Sequence, residues 1–392
     1  MKEIYLDHGA TTQPLPIVVE KMMAVMLEDY GNPSSYHKMG LQAEKHIKEA
    51  SQYFASIFQC SPDEIIYTSG GTESNNMAII GTALAYQRIG KRVITTQIEH
   101  PSVKEAFKYL QTQGFEVIYL PVDKSGYINI DELVEAIDHK TTLVSVMHVN
   151  NEIGTIQEIE TIGSRIKQKN PNTFFHTDAI QSFGKVPINR QKSCIDLLSI
   201  SSHKIYGPKG TGLLYKNKNV RVHPLILGGG QQKGYRAGTQ DVPGIVGMHV
   251  AAQQVIEHLK EYTTHMNMIK EKLTNNIISQ IEHSYVNGPD SNQGAPHIVN
   301  IGFEGIRSEV LLHALEAENI YVSSGSACSS NKKQEISSTL EGIGKNGIER
   351  DEAIRFSFGI HNTPEQVEKT VLVLQKTIPM LRKVFSLGGN KR

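Results

Sequence analysis

Short runs of β-branched and aliphatic residues recur along the first two thirds of this chain. Each is separated from the next by a segment long enough for a helix, and that alternation restricts the fold more than any other feature. The runs occupy 64–68, 92–96, 115–120, 142–148, 173–177 and 196–201. Strands joined by helix-length crossovers run parallel, and parallel strands buried on both faces read as continuous apolar runs. The reading is therefore an α/β fold with a mainly parallel central sheet in a large domain. The pair Ser102 and Glu105, beside Pro101, predicts a capping box at the helix that follows 92–96. Beyond Gly228-Gly229-Gly230 the texture changes: 242–281 reads as long helix with a break, 297–301 as an apolar run, 308–318 as helix, 353–358 as strand and 363–384 as a final helix. These segments fit a smaller α+β domain. The expected division gives 14–256 to the large domain, and 1–13 with 257–392 to the small one.

Composition excludes several classes. Across 392 residues, 40 Lys+Arg balance 40 Asp+Glu, so no overall field gathers phosphates, and direct nucleic-acid binding is not expected. No apolar run approaches the roughly 18 residues of a membrane span. The opening Met1-Lys2-Glu3 meets charge before a signal-peptide core can form. The three cysteines, Cys60, Cys194 and Cys328, are odd in number and form no CxxC, so neither a disulfide framework nor a resident metal site is expected.

Three constellations carry chemistry. Thr68-Ser69-Gly70-Gly71-Thr72-Glu73-Ser74 lies between a strand and a helix, where a glycine turn and unpaired N–H groups suit an anion; a plain tight turn reads equally well. Asp178 stands where the run 173–177 ends, at the carboxyl edge where open α/β sheets place their sites; as an isolated residue it would more simply be a helix N-cap. Lys204, in Ser201-Ser202-His203-Lys204-Ile205-Tyr206-Gly207, follows the run 196–201 and is either a candidate Schiff-base amine or part of a basic loop against a phosphate. Taken together they match what pyridoxal phosphate requires: donors for a phosphate, an acidic partner for a pyridinium nitrogen, and a lysine for an aldehyde.

With these motifs in order, and with His148-Val149-Asn150-Asn151-Glu152 and Ser323-Ser324-Gly325-Ser326-Ala327-Cys328 beside them, the chain resembles the fold-type I, class V aminotransferase-like enzymes. Within them it is similar to the cysteine desulfurases of the NifS/IscS kind, from Tyr5-Leu6-Asp7 through Arg355-Phe356-Ser357. The resemblance implies that Lys204 binds pyridoxal 5'-phosphate and shuttles the substrate's Cα proton. Asp178 would pair with the pyridinium nitrogen, Gln181 would bond the ring's phenolic oxygen, and His100 would stack on the ring and serve in proton transfer. Gly71, Thr72, Ser201 and His203 would hold the phosphate, with Thr239 reaching the phosphate of a partner subunit in a homodimer. Asn151 would contact cofactor or substrate, Arg355 would clamp the substrate carboxylate, and Asn32 would line the same pocket.

Cys328 lies in a run of small residues that gives little to pack, so the segment is expected to be mobile and its thiol placed to react. The resemblance implies that Cys328 receives the sulfur of L-cysteine as a persulfide, leaves L-alanine, and hands the sulfur to an acceptor protein for iron–sulfur cluster assembly or for tRNA or cofactor thiolation. Cys328 is also a candidate transient iron–sulfur ligand. Cys60 and Cys194 match no motif and read as packing or loop residues. A thiol that must be regenerated free after each transfer implies a reducing cytoplasm. The alternatives are a selenocysteine lyase or a class V aminotransferase on the same fold, or a catalytically inactive scaffold subunit. The sequence departs from the family at His8-Gly9, in 239–243, and in 333–337, which lacks the usual proline-containing tripeptide.

Overall fold

The computed structural model describes residues 3–290, 292–324 and 337–389. After β1 (Ile4–Tyr5), strands β2 (Ile65–Thr68), β3 (Arg92–Thr96), β4 (Glu116–Leu120), β5 (Thr141–Ser145), β6 (Phe174–Asp178), β7 (Leu197–Ser201) and β8 (Gly212–Lys216) follow. The last seven form one sheet in the order β2-β8-β7-β6-β5-β3-β4. The pairs from β7 to β4 are all parallel, while β8 runs antiparallel to both β2 and β7. The sheet is thus mainly parallel, as expected, with one reversed strand that the sequence reading missed.

Neighbouring residues in these strands face opposite sides. Val93, Leu143, Leu197 and Leu214 pack with Met77 to Ala83 and with the helix Pro101–Thr112. Ile94, Val144, Leu198 and Leu213 pack on the other face, against helices Lys38–Phe58, Ile159–Lys169 and Val242–Glu257. Each strand therefore feeds two cores, which explains its continuous apolar run.

The second sheet is antiparallel. Strands β9 (Ser284–Asn287), β10 (Ile298–Phe303), β12 (Ser323–Ser324) and β13 (Ala353–Ser357) lie in the order β12-β13-β10-β9, and β11 (Ile320–Tyr321) pairs in parallel with β1. Ile4 and Leu6 join the core of this unit with Ile269, Leu273, Val299, Phe356 and Val371. The long helical stretch breaks as expected, into Val242–Glu257 and Leu259–Gln280.

One expectation is corrected at a helix start. The helix Pro101–Thr112 is capped by His100, whose ring accepts from the Ser102 N–H at 3.1 Å, so Pro101 begins the helix and Ser102 is inside it. Ser102 is not the cap because its hydroxyl is committed to His100 and Asn75.

His176 bridges three strands: its ring nitrogens lie 2.8 Å from Ser145 Oγ on β5 and 3.0 Å from Ser199 Oγ on β7. Burial holds it at about 3, and buried His148 at about 4, against an ordinary 6.5. The unfolded chain takes up these protons near pH 6.5 while the folded chain stays neutral, so stability is complete above that pH and drains away below it. Each proton contributes about 1.4 kcal/mol per pH unit. The melting temperature should fall steadily from pH 6.5 towards 4, and less steeply in His176→Asn; a melting temperature flat between pH 6.5 and 5 would contradict this account.

Candidate active site

The carboxyl ends of β6 and β7 open into a cavity of about 360 Å³. Of the residues singled out from the sequence, Gly71, Thr72, His100, Asn151, Asp178, Gln181, Ser201, His203, Lys204 and Arg355 line it together. Asn32 does not: it is exposed in the single chain, and its Oδ1 accepts from the Ser34 N–H at 2.9 Å in a turn before the helix Lys38–Phe58. Thr239 is exposed and stands outside the cavity as well. Cys328 lies outside the described residues.

Asp178 is the last residue of β6, and its Oδ1 accepts from the Ile180 N–H at 2.9 Å. Its Oδ2 accepts from Asn75 Nδ2 at 2.8 Å. Burial pushes the carboxyl up, and the Ile180 N–H and the nearby His100, Asn75 and Lys204 pull it back down. Lys204 sits in the single 3-10 turn after β7 and donates from Nζ to the carbonyls of Gly9 and Ala10, both at 2.6 Å. Behind it, buried Lys185 donates to the Lys204 carbonyl at 2.9 Å; burial and the Lys204 charge hold Lys185 down at about 7. Burial also holds His203 down, at about 4, helped by the cations Lys204 and Lys185.

Arg355 comes from β13, on the second sheet. Its Nη2 pairs with Asp7 at 2.7 Å and its Nη1 donates to the Asn151 carbonyl at 2.9 Å, while Nε is buried without a partner. Gln181 donates to the Gly9 carbonyl at 2.9 Å and lies 3.2 Å, through Oε1, from His297 Nε2. Glu99 is fully buried beside His100, accepting from Thr96 and the Met147 N–H; burial pushes it up to about 8. The sequence reading missed Asp7, Gly9, Ala10, Asn75, Glu99, Ser102 and Lys185. Their only sequence signal is proximity to the motifs, since their contributions are backbone carbonyls or contacts made across the fold.

The sequence pattern of the Aminotransferase class-V family matches residues 4–370. The chain belongs to that family. Cysteine desulfurase IscS of Dictyoglomus turgidum is 41% identical over 383 residues, covering 98% of this chain and 96% of that protein. A cysteine desulfurase of Nostoc sp. is also 41% identical, over 382 residues, 97% of this chain and 94% of its own length. Among solved structures, a NifS-like protein aligns with a TM-score of 0.90 and 37% identity over 97% of this chain and 100% of the other. SspA in complex with cysteine aligns with a TM-score of 0.78 and 34% identity over 92% and 100%. The chain thus falls with the IscS- and NifS-type cysteine desulfurases within the family.

Members of this family use pyridoxal phosphate, and the cavity fits such a group on its own evidence. Ser201 Oγ is buried without a partner beside the turn that carries Gly71 and Thr72. The glycine keeps that turn open: a Cβ on Gly71 would come within 2.1 Å of Ile180 Cδ1. Asp178 is a buried carboxyl that a ring N–H would satisfy, and Lys204 is the cavity's amine. Among the described residues, no group of three His, Cys, Asp or Glu could hold a metal ion, and no helix is long and apolar enough to cross a membrane.

Gly71→Ala should lower the urea-unfolding stability by about 1–3 kcal/mol through overpacking against Ile180, and adding Ile180→Ala should return part of it. An unchanged unfolding midpoint in the single variant would show that the turn is not tightly packed.

Proposed function

We propose that this cysteine desulfurase works in the cavity at the carboxyl ends of β6 and β7, with pyridoxal 5'-phosphate, and moves the sulfur of L-cysteine onto Cys328. The observation that carries the assignment is the convergence of Asp178, Lys204, His100 and Arg355, from four separate segments, on one cavity. Gly71, Thr72, Ser201 and His203 would hold the phosphate, Asp178 the pyridinium nitrogen, and Gln181 the phenolic oxygen. When bound, the cofactor supplies an electron sink that weakens the substrate's Cα–H bond and activates its Cβ–S bond.

The remaining chemistry belongs to the chain. Arg355 lines the cavity and is already oriented by Asp7 and the Asn151 carbonyl, so the guanidinium that would receive the substrate carboxylate is held in place before binding. Lys204 is held at the site by two carbonyls and takes the Cα proton. Cys328 forms the new S–S bond as the Cβ–S bond of L-cysteine breaks. The balanced exchange converts the Cys328 thiol and L-cysteine to the Cys328 persulfide and L-alanine. Cys60 is unsuited to that role: it packs against the large core, and burial pushes its thiol up to about 11.

The persulfide would pass to an acceptor serving iron–sulfur cluster assembly or tRNA or cofactor thiolation, in a reducing cytoplasm. The working unit is a homodimer. The helix Pro16–Glu28 buries Val18 and Val25 but exposes Val19, Met23, Met26 and Leu27 at helical spacing. Leu227 is 78% exposed, and Arg236, near exposed Thr239, is tied by Glu73 to the Gly71 turn. This arrangement suits a Thr239 that serves the partner's site.

Borohydride reduction of the yellow protein should fix the cofactor to Lys204, and Lys204→Ala should carry none. Cys328→Ser should keep the cofactor but lose persulfide and at least about a hundredfold of alanine formation. Alkylation after mixing with L-cysteine, followed by peptide mapping, reads the sulfur directly; extra sulfur on Cys60 or Cys194 instead would sink the assignment. In sedimentation equilibrium, Met26→Glu with Leu27→Glu should shift the protein from dimer towards monomer.

A further inference from the structure

His100 lines the cavity, yet one of its ring nitrogens is already committed. Nδ1 accepts from the backbone N–H of Ser102 at 3.1 Å. A backbone amide cannot reverse its role, so Nδ1 carries no proton. Ser102 Oγ lies 2.8 Å from the same nitrogen. That hydroxyl also receives a hydrogen bond from Asn75 Nδ2 at 2.9 Å, and the other hydrogen of Nδ2 goes to Asp178 Oδ2 at 2.8 Å. The reversed amide would set Asn75 Oδ1 against the Asp178 carboxyl, so the orientation is fixed even though it leaves Oδ1 buried without a partner. With Asn75 donating to the hydroxyl oxygen, the hydroxyl hydrogen is directed at Nδ1. Two donors therefore converge on one imidazole nitrogen.

We infer that Ser102 and Asn75 are positioning residues that hold His100 as its neutral Nε2–H tautomer, so that it meets the reaction as a hydrogen-bond donor and leaves proton abstraction to Lys204. A ring with two donors on Nδ1 can accept a proton there only by displacing them, and Nε2 is already protonated. Charge does not overturn this. Asp178 favours the imidazolium, Lys204 opposes it, and burial is the largest influence, keeping the ring below its ordinary range. Among the described residues, the other titratable groups on the cavity wall are His203 and Arg355, with Glu99 adjacent in the chain. Burial and the nearby lysines hold His203 down at about 4, and burial pushes the Glu99 carboxyl up to about 8. The role of this relay rests on the cavity being the reaction site; the tautomer does not.

The test uses the cofactor-loaded protein with 15N-labelled histidine, the His100 signals being assigned by their loss in His100→Gln. From about pH 6 to about pH 9, Nδ1 should report an unprotonated nitrogen and Nε2 a protonated one. Ser102→Ala removes one donor from Nδ1, so the ring should titrate at higher pH and the acid limb of the kcat profile should move the same way. Ser102→Thr, which restores the hydroxyl, should return both. A protonated Nδ1 in the parent, or a Ser102→Ala titration identical to it, would overturn the inference. The nitrogen shifts are read without turnover, so an inactive protein with the expected tautomer would defeat the functional reading while leaving this assignment intact.

Discussion

Burying a carboxyl, an ammonium and a guanidinium around one cavity is unfavourable unless each finds a partner, and much of this structure is the set of partners that meets that demand. Asp178 has the Ile180 N–H and Asn75; Lys204 has two carbonyls; Arg355 has Asp7 and the Asn151 carbonyl. The lysine and its carbonyls are 195 and 194 residues apart in the chain, and Arg355 and Asp7 are 348 apart. The segment after β1 therefore has to run across the mouth of the large sheet, where Thr12 also accepts from the Tyr206 N–H and donates to the His203 carbonyl. Pairing of β1 with β11, and the seating of Ile4 and Leu6 in the second core, fix the start of that run. Site electrostatics and chain path are one constraint.

The fold was legible where burial is two-sided. Strands such as β7 (Leu197–Ser201) face a core on each side, so every position is apolar or a small serine and the run stands out. Strand β8 was missed for a related reason. It reverses direction against β7, so its connection is a short loop through Gly207 and Gly210 rather than a crossover helix, and the alternation that exposed the others is absent. Strand β9 was missed because Ser284, Tyr285, Val286 and Asn287 sit at the sheet edge, partly exposed for most of their length. The helix expected after the Gly70-Gly71 turn is interrupted by a π-helical turn, Met77–Gly81, between Gly71–Asn76 and Thr82–Tyr86.

The site was legible where chemistry needs a particular side chain. Lys204 and Asp178 stand out at strand ends, although each alone has a plainer reading, while His100 and Arg355 enter only through the family resemblance. The structure brings all four to one cavity. What could not be read was the supporting layer. Gly9 and Ala10 act through carbonyl oxygens, which every residue has. Ser102 read as a capping residue because its spacing to Glu105 is right, yet its hydroxyl is recruited by Asn75 from another helix. Asn32 read as a pocket residue, but a local turn absorbs its side chain within the single chain. Motif reading finds the groups that react, and it misses those that are useful only once the chain has folded.

The polar atoms left unpaired then acquire meaning. Ser201 Oγ and Arg355 Nε, on residues that line the cavity, are buried without partners, as are Ser202 Oγ and Asn75 Oδ1 close by. Where such an atom belongs to a residue of the cavity wall, as with Ser201 and Arg355, a bound group is in a position to supply the missing half. Such atoms lower the stability of the empty protein and raise its affinity for whatever completes them, because a ligand that binds only the folded state stabilises it by mass action. Residues held in place by their own partners and residues kept unpaired are therefore two parts of one arrangement. The first fixes the geometry before anything binds, and the second makes binding favourable.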